Sequence, residues 1–288
     1  MIEPDRTPRV TVAADVDLEV REWDGGRRPF VLVHGLASNA RLWDGVAIEL
    51  ARSGHRVVAV DQRGHGRSSK PDEGYDLTTV ADDLRTLLDT LRLARPVVVG
   101  QSWGANVAIE FAARFPGVAA AIGCVDGGTI DLKSQFPDWD DCASALRPPP
   151  LAGTPVDDME QRLRTAHPDW PESGIAGTMA CFEVRADGTV APWLTLARHL
   201  LVLRGLWDHR PAERFGAIQD PVLFIPAGGR GSDEWMATKR AALDEAISSL
   251  GAGRVEWIDG DHDLHAQHPD QVATLLRTLA PIQDREVV

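Results

Sequence analysis

One short run combines residue type, spacing and setting in a way that points to covalent chemistry: Val97-Val98-Val99-Gly100-Gln101-Ser102-Trp103-Gly104, followed by the helical pattern of Ala105–Phe115. The valines read as a buried strand and the residues after them as a helix, so Ser102 falls on the turn between the two. Such a turn is strained and brings the helix close to the strand, so the flanking residues must be small. Gly100 and Gly104 meet that need. A serine there projects its hydroxyl above the sheet. The helix N-terminus favours negative charge, and the Trp103 N–H points at a developing oxyanion. A neutral serine is a poor nucleophile near pH 7 until a base accepts its proton.

The candidate base is His262. It follows the apolar run Arg254–Ile258, which reads as a last strand, and Pro269 opens a helix seven residues later. An imidazole on that loop reaches over the sheet edge toward Ser102. His265 and His268 lie where the chain turns into the helix, and His209 is further off. His34, after the strand Val31–Val33, precedes the serine and so runs against the usual chain order of serine, acid, histidine. It reads as a loop brace. The Leu36 N–H in that loop is the candidate second oxyanion donor, its side chain incidental.

These groups need a rigid platform, and the first third of the chain has the pattern for one. Arg9–Ala14 and Val16–Trp23 form a leading pair. Phe30–Val33, Val57–Val60 and Val97–Val99 are continuous apolar runs, as strands covered on both faces require. Helices are expected near Ala40–Arg52 and Thr78–Leu93. In the second, Val80, Leu84, Leu87, Leu88 and Leu91 make one apolar stripe, leaving Asp82, Asp83 and Arg85 toward water. Ala119–Val125 is the next strand. The alternation fails over residues 130–215, which read as an inserted cap. It resumes with Pro221–Ile225, Glu234–Leu250, Arg254–Ile258 and Pro269–Leu279. The division is therefore a core of residues 1–129 and 216–288 with a cap of residues 130–215.

Composition bounds the class. With 43% hydrophobic and 25% charged residues the chain has enough apolar material for a core. A formal charge of -13 without a basic stripe argues against nucleic acid. Cys124, Cys142 and Cys181 match neither a zinc site nor a redox pair. The N-terminus lacks a signal-peptide core and no run spans a bilayer, so a cytoplasmic place without membrane attachment is the expectation. A homodimer is compatible with the sequence.

With these motifs in place, the chain resembles the α/β-hydrolase superfamily over nearly its whole length. Asp61-Gln62-Arg63-Gly64-His65-Gly66-Arg67-Ser68 is similar to that family's loop after the fourth strand. The resemblance implies an eight-stranded, mostly parallel sheet with helices on both faces, a mainly helical lid between strands six and seven, and a serine-acid-histidine triad. One position departs from the pattern: after the seventh strand, where the acid usually stands, the sequence has Arg230. A positive charge cannot stabilise an imidazolium. Asp126, at the sixth strand's end, is the preferred acid, because a strand end holds a carboxylate rigidly. Asp233 is the alternative; it also suits the start of a helix beside Ser232, as Asp126 also suits a turn before Gly127-Gly128.

The resulting expectation is a serine hydrolase acting through an acyl-enzyme on a small, mostly apolar carboxylic ester or lactone, with no metal or organic cofactor. A C–C bond hydrolase or thioesterase with the same triad, and a non-hydrolytic binding protein on the same scaffold, are the alternatives. Trp139, Phe182, Trp193 and Trp207 are candidate pocket-lining residues. Large aromatics in a lid equally form its own core. Arg185 and Arg198 are candidate partners for a substrate carboxylate, with surface solvation the plainer role.

Overall fold

A computed structural model describes residues 3–229 and 231–280. The leading pair is β1 (Arg9–Ala13) and β2 (Val16–Trp23), followed by β3 (Arg27–Val33), α1 (Asp44–Arg52), β4 (His55–Val60), α2 (Leu77–Thr90), β5 (Val97–Gln101), α3 (Trp103–Arg114) and β6 (Ala121–Val125). The segment after β6 holds α4 (Leu132–Gln135), α5 (Trp139–Ala145), α6 (Val156–Ala166), α7 (Glu172–Met179), a hairpin of β7 (Phe182–Val184) and β8 (Val190–Pro192), and α8 (Leu196–Asp208). The chain then returns through β9 (Val222–Ile225), β10 (Ala227–Gly228), α9 (Asp233–Ser249), β11 (Gly253–Val255), β12 (Ile258–Asp259), α10 (Leu264–Gln267) and α11 (Pro269–Arg277).

The main sheet has eight strands in the order β1-β2-β4-β3-β5-β6-β9-β11. Only the β1–β2 and β2–β4 pairings are antiparallel. Phe30 to Leu32 and Val97 to Val99 have no exposed surface, because one apolar layer packs α2 and α3 on one face and another packs α1 and α11 on the other. Continuous valine runs are what a strand covered on both faces needs.

Three local expectations are corrected. Arg254–Ile258 does not form one strand: β11 pairs with β9, and β12 pairs separately with β10. The break lies opposite Pro226, which has no N–H to continue the ladder. Asp83 does not face water. It is buried, and its two oxygens take Arg63 Nε at 2.5 Å and Nη2 at 2.6 Å. The helix expected from Ala40 begins as a 3₁₀ turn over Ala40–Trp43, with the Asn39 side chain accepting the Arg41 N–H. Among the described residues no helix is long and apolar enough to cross a membrane.

Candidate active site

Ser102 occupies the junction of β5 and α3 with φ 52° and ψ −120°, a strained conformation for a residue with a side chain. Its surroundings impose the glycines on either side. A Cβ on Gly100 would lie 2.0 Å from the Gly104 carbonyl oxygen, and one on Gly104 would lie 2.4 Å from the oxygens of Val33 and His34. From the turn after β6, Gly127 approaches just as closely: a Cβ there would meet the Ser102 carbonyl oxygen at 2.4 Å. The Ser102 N–H donates to the Val125 carbonyl at 3.0 Å, which locks the turn to the end of β6. Among the described residues the Ser102 hydroxyl makes no hydrogen bond, and it faces a cavity.

Asp126 follows β6 with a left-handed φ of 41°. Its carboxylate is buried and points in two directions. Oδ2 accepts from His262 Nδ1 at 2.6 Å, while Oδ1 accepts from the Ala227 N–H at 2.8 Å and from Lys239 Nζ at 2.7 Å. Burial alone would raise the Asp126 carboxyl, but the His262 hydrogen bond and the charges of His262 and Lys239 outweigh it and hold the group below its usual range. His262 moves the opposite way. Loss of water around the ring opposes its protonation only in part, since the side chain is 54% exposed, and the hydrogen bond to Asp126 and the charges of Asp263 and Asp126 raise it above the ordinary histidine value. With Nδ1 donating to Asp126, Nε2 is the nitrogen left to accept a proton. His262 lines the same cavity as Ser102.

Asp233, the alternative acid, is the exposed first residue of α9, where Ser232 caps the helix by accepting the Trp235 N–H at 3.2 Å. Arg230, the basis for discounting the usual acid position, lies outside the described residues. His34 is fully buried. Its Nδ1–H donates to the Gly35 carbonyl at 2.7 Å and its Nε2 accepts the Gln62 N–H at 3.0 Å, so it braces the loop; burial pushes it down to about 4. His265 is likewise enclosed beside Trp43 and pushed to about 3 by burial. Neither the Leu36 nor the Trp103 N–H donates to a backbone carbonyl among the described residues, and Leu36 borders the cavity beside Ser102.

The cavity encloses about 570 Å³. Its walls come from the β6 end, from Leu132 and Phe136, from Leu203 and Leu206 of α8, and from Trp235 and Leu243 of α9, so most of its surface is apolar. The four aromatics expected to line it do not. Trp139 and Trp207 pack edge to face at 5.9 Å, and the Trp207 indole N–H donates to the Phe136 carbonyl at 2.7 Å. Trp193 sits under Lys70, and Phe182 pairs with Pro192 in the β7–β8 hairpin. Trp139 and Trp207 thus join α5 to α8 instead of facing the cavity. Arg198 is occupied by the Lys70 and Pro71 carbonyls and Asp72.

Lys239 and the α9 wall escaped the sequence reading. Their trace is present, since Trp235, Thr238, Lys239, Ala242 and Leu243 recur at helical spacing on one face. No group of three His, Cys, Asp or Glu side chains placed to hold a metal ion occurs among the described residues.

A family profile described as alpha/beta hydrolase fold matches residues 28–153. A 2-(acetamidomethylene)succinate hydrolase from Mesorhizobium japonicum is 37% identical over 216 residues, covering 73% of each chain. AB hydrolase superfamily protein YisY from Bacillus subtilis is 39% identical over 93 residues, and there the chain spans only 35% of the relative's length. The crystal structure of E-2-(acetamidomethylene)succinate hydrolase, at 23% identity, superposes with a TM-score of 0.78 over 95% of this chain and 98% of that one. The elbow, the sheet order and the extent of these matches agree, and the chain belongs to the α/β-hydrolase fold family.

Proposed function

We propose that this chain is a serine hydrolase that cleaves a neutral, mostly apolar carboxylic ester or lactone through an acyl-enzyme. The observation that carries the reading is the 2.6 Å contact from His262 Nδ1 to the buried Asp126 carboxylate, made beside an elbow serine in one apolar cavity. In this reading Asp126 fixes the imidazole tautomer and steadies its protonated form. His262 Nε2 takes the Ser102 proton as Oγ attacks the carbonyl carbon. The Leu36 and Trp103 N–H groups hold the oxyanion, each worth roughly 3–4 kcal/mol. His262 then gives its proton to the departing alkoxide. Water, deprotonated by the same nitrogen, cleaves the acyl bond, releasing the carboxylic acid and restoring Ser102.

Residues 130–215 act here as a cap that supplies the outer cavity wall. The Mesorhizobium relative is named for a succinate derivative, an acidic compound. An uncompensated cation would favour such a ligand, but the lysine bordering this cavity is already paired with Asp126. That pairing supports a neutral substrate. The test is turnover of p-nitrophenyl acetate, butyrate and octanoate and of a lactone series by the wild type and Ser102→Ala. Ester or lactone cleavage abolished by Ser102→Ala supports the reading, and turnover that survives the substitution rejects it.

A further inference from the structure

The Asp126 carboxylate accepts three hydrogen bonds, and only one comes from His262. The other oxygen is held by two donors from outside β6. The first is the Ala227 N–H at 2.8 Å. The second is Lys239 Nζ at 2.7 Å, which also donates to the Ala227 carbonyl at 3.1 Å. Lys239 therefore closes a ring with both backbone ends of Ala227 and one carboxylate oxygen. Its side chain is 16% exposed and that of Asp126 is 7%, so water screens the contact little.

We propose that Lys239 is a positioning residue for the reaction: its ammonium clamps the outer oxygen of Asp126, fixing the carboxylate rotamer that presents the inner oxygen to His262, and its charge keeps the imidazole neutral to lower pH than Asp126 alone would allow. The inference rests on the serine-hydrolase reading for its catalytic consequence, though not for its electrostatic one.

The χ2 torsion of an aspartate is broad, so a carboxylate held at one end alone twists away from the line of Nδ1–H and weakens that contact. Two donors on one oxygen remove that freedom. The ammonium also subtracts from the negative field at His262, which faces Asp126 from β6, Asp263 and His265 from its own loop and α10, and Lys239 from α9. Without that charge the carboxylate of Asp126 favours the imidazolium more strongly, and the imidazolium cannot take the serine proton. Lys239 reaches this place from the second turn of α9, whose neighbouring residues Trp235 and Leu243 line the cavity, so one helix shapes the substrate wall and holds the acid.

The decisive experiment is an NMR titration of the His262 ring in the full chain, comparing wild type, Lys239→Met and Lys239→Arg. Lys239→Met is expected to raise the His262 midpoint by about half a pH unit or more, whereas Lys239→Arg, which keeps the charge, stays within a few tenths of the wild type. On p-nitrophenyl butyrate the acid limb of kcat/KM should move up with the midpoint. Meanwhile kcat should fall roughly 10-fold at unchanged KM in Lys239→Met. An unchanged or lowered midpoint overturns the proposal, whatever happens to kcat. Should Lys239→Met not fold, Lys239→Gln keeps a donor of similar length without the charge and carries the same expectation. Ring titration needs no turnover: a wild type inert on esters and lactones alike sinks the hydrolase reading, and the Lys239 result stands or falls on its own.

Discussion

Replacing Asp126 with asparagine tests the geometry at a single atom. The outer oxygen is surrounded by donors, the Ala227 N–H at 2.8 Å and Lys239 Nζ at 2.7 Å, so an asparagine must turn its carbonyl oxygen that way. Its NH₂ then faces His262 Nδ1, where the wild type accepts at 2.6 Å. Two donors cannot share that contact, so Nδ1 must give up its proton and Nε2 must carry it. The imidazole is then in the wrong tautomer to accept from Ser102. Loss of the correct tautomer typically lowers kcat by ~10⁴, about 5 kcal/mol at the transition state. The assay is kcat/KM for p-nitrophenyl butyrate at pH 8, with circular dichroism as the control for folding. Asp233→Asn, on an exposed helix start, should stay within about twofold of wild type, as surface changes usually do. A loss below tenfold for Asp126→Asn, or abolition by Asp233→Asn, refutes the reasoning.

Other consequences are equally open to measurement. The acid limb of kcat/KM should fall above the ordinary histidine value of about 6.5, because burial is outweighed by Asp126 and Asp263 and His262 must be neutral to act. A pH-rate profile with its limb below that value counts against His262 as the base. Gly104→Ala forces a Cβ to within 2.4 Å of two backbone oxygens and should cost about 3 kcal/mol or prevent folding, read as a lowered urea midpoint. His34, His65 and His265 are held at about 4, 3 and 3 by burial, so the unfolded chain binds more protons than the folded one below about pH 6.5. Stability should therefore fall as pH drops from 7 to 5. Asp44, raised by burial to about 6, offsets part of that loss, and the fall is read as a lower urea midpoint at pH 5 than at pH 7.

Features written locally were the most legible in the sequence. The elbow needs two glycines at fixed offsets from a serine between a strand and a helix, and all of those constraints lie within eight residues. Buried strands such as Val97–Val99 were equally plain, since only a covered strand tolerates an unbroken valine run. Asp126 and His262 sit 136 positions apart, yet each stands at a strand end and could be proposed from its place in the strand order. Lys239 could not, because nothing in a helix sequence says which side chain meets a carboxylate from another strand. The aromatics misled for a related reason: tryptophan type is the same whether it lines a cavity or joins α5 to α8, and only packing separates the two. The Asp83–Arg63 pair hid behind a helical pattern that sends charged residues to water, and the split of the last strand depended on Pro226 in a neighbouring one.

The central claim is that Ser102 is an activated nucleophile. Intact-protein mass spectrometry after exposure to a fluorophosphonate measures this directly, since the probe phosphonylates only a serine made reactive by its base. The account predicts one adduct per chain, mapped to the peptide containing Ser102, absent from Ser102→Ala and strongly slowed in His262→Ala. A wild type that remains unlabelled, or an adduct that persists in Ser102→Ala, would contradict it.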